Sequence, residues 1–328
     1  MRTPTFWQGP NLLSDILMPF GDLYAAGGWL RQRLSRPRRI AVPVICIGNL
    51  VSGGAGKTPT VLTVLTQLRA RGRRPAALLR GYGGRLHGPL QVDCDRHDAE
   101  AVGDEALLLA RKAATWVARD RAAGAEAAAA EGADVIVMDD GLQNPTLAKD
   151  LSLLVVDGTV GFGNGRVIPA GPLREPVTRG LARADALVLV GPDRQDIARR
   201  TAGKPLLQAE FRARGSTDLQ GRRLIAFAGI GRPTKFFETL QNLQAELIGM
   251  AEFPDHHPYR ESDLAPLLAK AERSGASLIT TEKDAVRLPQ AIASLVEVLP
   301  VDLVFPRPAA LDRLLDSLLQ QAETPARV

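Results

Sequence analysis

The sequence predicts an α/β fold in which helices cover both faces of a doubly wound, mostly parallel sheet. Three features support this prediction. Short continuous apolar runs recur after residue 40, as is typical of strands buried on both faces. Stretches with helical spacing separate these runs, and a glycine-rich turn joins the first run to the first helical stretch. Alternation of strands and helices favours parallel pairing.

Residues 1–39 precede this pattern and are expected to form amphipathic helices that associate with a membrane. Between residues 13 and 24, apolar residues recur at spacings of three and four, which places them on one helical face. Pro19 is expected to kink or divide the helix, and Gly27-Gly28 to interrupt it. Apolar residues bordered by Trp29 and followed by arginines are typical of a helix lying in a bilayer interface. A helix packed on the protein's own core would also explain this pattern.

Charge is concentrated in the same segment. The first forty residues hold six arginines and two aspartates, so they account for +4 of the net charge of +5. Because basic residues are not spread over the chain, nucleic-acid binding is not expected. A local basic segment indicates an anionic surface or ligand. The sequence shows neither a transmembrane span nor a signal peptide, and its two cysteines fit a reducing, cytoplasmic setting.

The remaining chain is predicted to form two parts: a nucleotide-binding domain at 40–220 and a smaller α/β lobe at 221–328. The boundary is placed in the polar stretch Gly215–Gly221. The candidate strands are Val42–Ile47, Ala76–Leu79, Val135–Met138, Leu153–Val156, Ala186–Val190, Leu224–Ala228 and Ser277–Thr280. The candidate helices are Thr60–Arg71, Asp104–Ala114 and Ala122–Glu131.

The glycine-rich turn Gly48–Thr58 carries the strongest local signal. It follows an apolar strand and precedes a helix, which is the setting of a phosphate-binding loop (P-loop). Glycines allow successive backbone N–H groups to surround phosphate oxygens, and the helix N-terminus adds its dipole. Lys57 can reach the β- and γ-phosphates, and Thr58 can ligate Mg²⁺. The predicted nucleotide-binding residues are Gly53, Gly54, Ala55, Gly56, Lys57, Thr58 and Pro59.

The loop departs from two standard patterns. The strict P-loop places glycine at position 51, where this chain has Val51. Partition-type ATPases have a similar variant loop, but their signature lysine would fall at Ser52. The loop therefore predicts phosphate binding without identifying a subclass.

An acidic pair follows a second apolar strand, Val135–Met138. Asp139 and Asp140 come directly after it, and such a strand end can present a carboxylate to a metal beside the loop. Two adjacent carboxylates repel each other unless a cation lies between them. Mg²⁺, held by Thr58 and by one or both aspartates, is the expected partner.

Two further segments carry candidate side chains. Asp104 lies at a predicted helix start, where an aspartate is often only an N-cap. His256 and His257 follow Asp255 in a proline-bounded loop, and functional groups are frequent in loops. Zinc is not expected, because no cysteine pair or spaced His/Asp set accompanies the two histidines.

Three other segments give weaker signals. Arg80–Gly84 and Pro169–Glu175 are each a turn bearing an arginine that could bind phosphate. Thr281–Asp284 is similar to the guanine-reading motif N-K-x-D, but its lysine and aspartate are adjacent, so it does not fit.

These segments together resemble the tetraacyldisaccharide 4′-kinase family, the lipid A 4′-kinases of Gram-negative bacteria. The resemblance extends from the N-terminal helix to about residue 290. Its motifs, in chain order, are Gly48–Pro59, Arg80–Gly84, Gly103–Glu105, Asp139–Gln143, Pro169–Glu175, Asp255–His257 and Thr281–Asp284.

The resemblance implies a function and a mechanism. ATP with Mg²⁺ would phosphorylate the 4′-hydroxyl of a tetraacyldisaccharide 1-phosphate, at the cytoplasmic face of the inner membrane. The family's catalytic aspartate and histidine match Asp104 and His256, and Lys57 would hold the γ-phosphate. The membrane interpretation of residues 1–39 gains support, since an acylated substrate stays in the bilayer. The alternatives are a partition-type membrane-bound ATPase switch and a P-loop kinase of a soluble substrate; oligomeric state is not predicted.

Overall fold

The computed structural model describes residues 4–9, 11–201, 203–214 and 218–323. Part of the predicted boundary Gly215–Gly221 lies outside these residues. The helices are α1 (Leu12–Leu34), α2 (Lys57–Ala70), α3 (Ala99–Val102), α4 (Asp104–Ala110), α5 (Arg121–Ala130), α6 (Val177–Ala182), α7 (Ile197–Arg200), α8 (Pro233–Asn242), α9 (Glu261–Ser274), α10 (Glu282–Ala285), α11 (Gln290–Ala293) and α12 (Ala309–Glu323). The strands are β1 (Val44–Gly48), β2 (Pro75–Leu79), β3 (Leu90–Gln91), β4 (Thr115–Val117), β5 (Val135–Asp139), β6 (Leu151–Asp157), β7 (Ala186–Val190), β8 (Leu206–Ala213), β9 (Arg223–Ala228), β10 (Glu246–Glu252), β11 (Ser277–Thr281), β12 (Val296–Leu299) and β13 (Val301–Val304).

The larger sheet is mostly parallel, as the sequence predicts. Within the described residues its strand order is β13-β8-β7-β6-β1-β5-β2-β4-β3, and only the two edge pairs, β13–β8 and β3–β4, are antiparallel. Strand β1 lies in the middle, between β5 and β6. The loops after β1 and β5 therefore emerge side by side at the carboxyl edge, where ligands bind in doubly wound folds.

Helices cover both faces of this sheet, which explains its continuous apolar strands. On one face, Ile45, Ile47 and Val137 pack with α2, α4 and α12. On the other face, Cys46 and Leu154 lie in an apolar cluster that includes Ala25 of α1. The α/β, doubly wound prediction is confirmed.

The smaller sheet has the order β10-β9-β11-β12 within the described residues, and all of its pairs are parallel. The chain then returns to the larger sheet, because β13 pairs with β8 and α12 packs on the larger core. Residues 301–323 thus join the part of the molecule that the prediction assigned to 40–220. We refer to the larger sheet with its helices as the main lobe, and to the smaller sheet with α8–α11 as the second lobe.

Helix α1 is a single helix, so the prediction that Gly27-Gly28 interrupts it is wrong, and Pro19 does not divide it. Tertiary contacts explain its continuity. The Ser14 hydroxyl donates to the Ala170 carbonyl (2.6 Å), and Gly21 approaches the Val167 carbonyl so closely that a Cβ there would lie 2.7 Å away. Packing of this face offsets the lost backbone hydrogen bond at Pro19 and the low helix propensity of glycine.

The opposite side of α1 presents large side chains to solvent. Small residues make the inward contacts, so the apolar residues that the sequence places on one helical face point away from the protein. We call this surface the outward apolar face; its residues are Leu12, Leu13, Ile16, Phe20, Leu23, Tyr24, Leu30 and Leu34. None of the helices in the described residues is long and apolar enough to cross a membrane.

Candidate active site

The predicted site residues other than Asp104 line one large cleft of about 2440 Å³ between the two lobes, and Asp104 is buried beside it, between the lining residues Gly103 and Glu105. The phosphate-binding loop and the acidic strand end form its main-lobe wall. The loop that contains His256 and the start of α10 form the facing wall. The cleft also extends along the C-terminal half of α1, past Trp29 and Arg31.

The glycine-rich loop has the predicted form. Helix α2 begins at Lys57, and Gly56 at its N-cap has a left-handed backbone with φ of 94°. A side chain at position 56 would be strained in this conformation, which allows the loop to turn directly into the helix. The free backbone N–H groups of this first turn are the kind of donor that binds phosphate.

Thr58 and Asp139 contact each other, as the prediction of a shared metal site requires. Because Ile47 of β1 pairs with Asp139 of β5, the end of β5 lies beside the loop. The Thr58 hydroxyl donates to Asp139 Oδ2 (2.9 Å), whereas the buried Oδ1 of Asp139 has no hydrogen-bond partner among the described residues. Burial and then the charge of Glu105 raise the pKa of Asp139 to about 7.

Asp140 is held by two cations. Arg174 donates to Asp140 Oδ1 (2.7 Å), and Lys57 Nζ lies 3.7 Å from the same oxygen. Burial opposes ionisation of Asp140, but Lys57 and Arg174 hold its pKa below the usual range. Arg174 reaches this position because its backbone N–H donates to the Leu50 carbonyl (2.8 Å), which joins the two loops. Arg174 belongs to the Pro169–Glu175 turn, which was predicted only as a turn whose arginine could bind phosphate.

Asp104 is buried at the start of α4, with only 5% of its surface exposed. Gly103 precedes it with φ of 89°, and a Cβ there would lie 2.5 Å from the Tyr82 carbonyl oxygen. The Arg80–Gly84 turn therefore packs directly on the backbone that positions Asp104. The Asp104 side chain does not act as a conventional N-cap, because Gly103 occupies that position.

His256 of the second lobe contacts Asp104 of the main lobe. Their atoms Nδ1 and Oδ2 are 2.9 Å apart, and Arg287 Nε lies 3.6 Å from the same oxygen. Burial opposes ionisation of Asp104, but the hydrogen bond with His256 and the charges of Lys283, His256 and Arg287 lower its pKa. His256 has a left-handed backbone (φ of 61°), an uncommon conformation for histidine that often marks functional loops.

His257 has a different role from His256. Its Nε2 lies 3.1 Å from Asp263 Oδ2, and its ring stacks on Phe253 within the second lobe. Only the first histidine of the pair therefore faces Asp104.

A second contact joins the lobes near the phosphate-binding loop. Asp157, at the end of β6, is 4% exposed and accepts hydrogen bonds from Arg232 (2.9 Å) and Lys235. These residues and Arg287 were not among the predicted site residues, because nothing near them in the chain indicates where the second lobe docks. Lys283 lies in the motif Thr281–Asp284, but no role was predicted for it.

The arrangement provides phosphate-binding and metal-binding groups in the main-lobe wall of the cleft and a buried carboxylate–histidine pair where the two lobes meet. Such groups can hold a nucleotide and accept a proton from an attacking hydroxyl. The fold and the site together define a nucleotide-dependent phosphotransferase of the P-loop class. The family model described as tetraacyldisaccharide-1-P 4′-kinase matches residues 13–320, and the chain belongs to that family.

Similar proteins extend over almost the full chain. The tetraacyldisaccharide 4′-kinase of Rhodospirillum centenum is 54% identical, with 97% of each chain covered. That of Paramagnetospirillum magneticum is 53% identical, with 97% of this chain and 99% of the relative covered. The crystal structure of LpxK from Aquifex aeolicus in complex with ATP is 29% identical and superposes with a TM-score of 0.77, covering 94% of this chain and 99% of the other.

Proposed function

We propose that this chain transfers the γ-phosphate of ATP to the 4′-hydroxyl of a tetraacyldisaccharide 1-phosphate, a step of lipid A biosynthesis. The observation that carries this proposal is the hydrogen bond between the buried Asp104 and His256, a histidine that lines the same cleft as the phosphate-binding loop. A nucleotide-dependent switch has no need for a buried base facing its nucleotide site, whereas a kinase of a sugar hydroxyl does.

ATP would bind with its β- and γ-phosphates in the loop Gly53–Pro59. Backbone N–H groups of this loop would donate to the phosphate oxygens, and Lys57 would turn from Asp140 to the γ-phosphate. Arg174, which contacts the same oxygen of Asp140 as Lys57, would supply a further positive charge near the transferred group.

The residues at the strand end fit Mg²⁺. No group of three or more His, Cys, Asp or Glu side chains in the described part of the chain is arranged to hold a metal ion. Mg²⁺, however, commonly takes only one or two protein oxygens together with phosphate and water. The buried, unpartnered Oδ1 of Asp139 and the Thr58 hydroxyl are such oxygens, so we assign the direct contact to Asp139 and not to Asp140. Bound there, Mg²⁺ would neutralise phosphate charge during transfer.

Asp104 would accept the proton of the 4′-hydroxyl. Its lowered pKa keeps the carboxylate ionised, and Oδ1 retains acceptor capacity beyond its bond from the Glu105 N–H. His256 would orient the carboxylate through Oδ2. Because His256 belongs to the second lobe, the base is complete only when the lobes are in contact.

The outward apolar face of α1 would place the cleft at the cytoplasmic face of the inner membrane. Eight large side chains point outward, and Arg33 lies over the ring of Trp29 (5.3 Å) at the basic end of the helix. Apolar residues that end at a tryptophan and arginines fit the boundary between acyl chains and headgroups. The cleft reaches the same end of α1, so an acylated disaccharide could enter without leaving the bilayer.

The test is a transfer assay with γ-labelled ATP, Mg²⁺ and the tetraacyldisaccharide 1-phosphate in detergent micelles. We expect label in the lipid and a 10²- to 10⁴-fold lower kcat for Asp104→Ala, with little change in ATP affinity. Label released only as free phosphate would support a partition-type ATPase switch and refute the proposal. Transfer to a water-soluble sugar, but not to the lipid, would instead indicate a soluble-substrate kinase.

A further inference from the structure

Lys283 connects both members of the proposed catalytic pair to helix α10. Its Nζ lies 3.2 Å from His256 Nε2, the ring nitrogen that does not face Asp104. It also lies 3.4 Å from Asp255 Oδ1 and 3.9 Å from Glu105 Oε1. One ammonium group therefore contacts the histidine loop of the second lobe and the helix that carries Asp104.

The segment Thr281–Asp284 explains why Lys283 is fixed in this position. Thr281 is the N-cap of α10 and accepts from the Asp284 N–H (3.1 Å). Asp284 is fully buried and accepts from the Tyr259 hydroxyl and the Gly229 N–H, both at 2.9 Å. Thr281 and Asp284 thus anchor the turn, and Lys283 between them points into the cleft.

The contact with Lys283 determines which nitrogen of His256 carries the proton. A lysine ammonium can only donate, so Nε2 must accept, and the proton of the neutral imidazole then resides on Nδ1. This tautomer donates from Nδ1 to Asp104 Oδ2. In an imidazolium ring, Nε2 would carry a proton and face the Lys283 ammonium donor to donor, so no hydrogen bond could form between them.

Lys283 also acts on Asp104 through its charge. Burial opposes ionisation of Asp104, whereas His256, Lys283 and Arg287 lower its pKa. The ionisable groups that face the pair from the surrounding elements are Tyr82, Glu105, Asp255, Lys283 and Arg287.

We propose that Lys283 is a positioning residue for phosphoryl transfer: it holds His256 in the Nδ1–H tautomer and stabilises the Asp104 carboxylate as the base. The inference rests on the proposed roles of Asp104 and His256. Lys283 does not touch the reacting atoms in this scheme and acts through the histidine and the carboxylate.

Two measurements on Lys283→Met test the proposal. The first is the pH dependence of kcat/KM for lipid phosphorylation, whose acidic limb reports the base of the free enzyme. Loss of the cation should raise the pKa of Asp104 and move this limb up by about one pH unit. The second is ¹⁵N NMR of histidine-labelled protein, in which His256→Asn identifies the His256 signals among the four histidines. Near neutral pH, Nε2 should be unprotonated in wild-type protein and partly protonated in Lys283→Met.

Two further variants separate positioning from folding. Lys283→Arg keeps a cationic donor and should retain the wild-type limb and ring protonation. Lys112→Met removes a lysine from the same cleft, one that pairs with Glu282 (2.7 Å) and not with the catalytic pair, and should change neither readout. If Lys283→Met does not fold, Lys283→Ala replaces it, since a neutral side chain without a hydrogen-bond donor must show the same two shifts.

The outcomes distinguish this inference from the proposed function. Absence of lipid phosphorylation by wild-type protein would refute the function, whatever the NMR shows. An active wild type, with an unmoved acidic limb and an unprotonated Nε2 in the neutral variants, would refute the role of Lys283 alone. A fall in kcat without either shift would also refute it, because a purely structural defect has that signature.

Discussion

The outward apolar face of α1 allows a quantitative test of membrane docking. Phe20 and Leu23 lie on it with 60% and 72% of their surfaces exposed, so neither supports the protein core. We consider the double substitution Phe20→Ala/Leu23→Ala. Alanine has the highest helix propensity, so α1 should persist and the free energy of unfolding should change little.

The expected loss of binding follows from the exposed apolar surface. Fully burying a Phe or Leu side chain contributes about 1.5–3 kcal/mol. Most of each side chain is available to the bilayer, and alanine retains a small part, so the pair should contribute about 3 kcal/mol. Since 1.4 kcal/mol corresponds to a factor of ten, the partition coefficient should fall about 100-fold.

The assay is co-sedimentation with vesicles of phosphatidylethanolamine and phosphatidylglycerol at fixed ionic strength. Met250→Ala is the matched control, because Met250 is 58% exposed on strand β10 of the second lobe. The control should bind vesicles like the wild type. Wild-type binding by the double variant, or an equal loss in the control, would refute docking through α1.

Three other variants test the metal site, the lobe contact and the core. Thr58→Ala should raise the Mg²⁺ concentration for half-maximal turnover about 10-fold or more, since it removes an oxygen beside Asp139; an unchanged Mg²⁺ titration contradicts this. Asp157→Asn should lower the free energy of unfolding by about 2 kcal/mol, less than for a fully buried pair because both partner cations are about a third exposed. Burial opposes ionisation of Asp157, but Lys235 and Thr159 lower its pKa. The difference in the free energy of unfolding between wild type and Asp157→Asn should therefore be constant above about pH 5 and shrink as pH falls below about 4. Urea titrations at several pH values measure this difference, and one that grows on acidification contradicts the prediction. Leu154→Ala should cost about 2–5 kcal/mol because Leu154 is fully buried, whereas the exposed Leu295→Ala should cost almost nothing; similar losses in both contradict this.

The fold was predictable for the strands that are buried on both faces of their sheet, because these strands appear in the sequence as continuous apolar runs. The strand Ala186–Val190 has the predicted bounds, and the other predicted strands match within a few residues. Strands at or next to the sheet edges were missed: β8, which lies beside the edge strand β13, has a mixed pattern of buried and exposed positions, and the edge strand β3 has only two residues. Their pairing is decided by neighbouring strands and not by a local apolar run.

The candidate site follows the same rule: contacts set by neighbouring strands were predictable from the sequence, and the contact between the lobes was not. Lys57, Thr58 and Asp139 were predictable because a loop and an adjacent strand end impose their proximity. The pairing of Asp104 with His256 spans 152 positions in the chain, and only the family resemblance indicated it. No local pattern shows that two lobes will bring these positions together.

The division between lobes has a consequence for how the site works. The main lobe alone carries the groups that would hold ATP and Mg²⁺, and it also carries Asp104 at the start of α4. The groups that lower the pKa of Asp104, namely His256, Lys283 and Arg287, all come from the second lobe. Burial raises the pKa of a carboxyl, and these three groups oppose that effect on Asp104. Contact between the lobes therefore does more than close the cleft: it supplies the hydrogen bond and the cations that favour the ionised carboxylate on which transfer would depend.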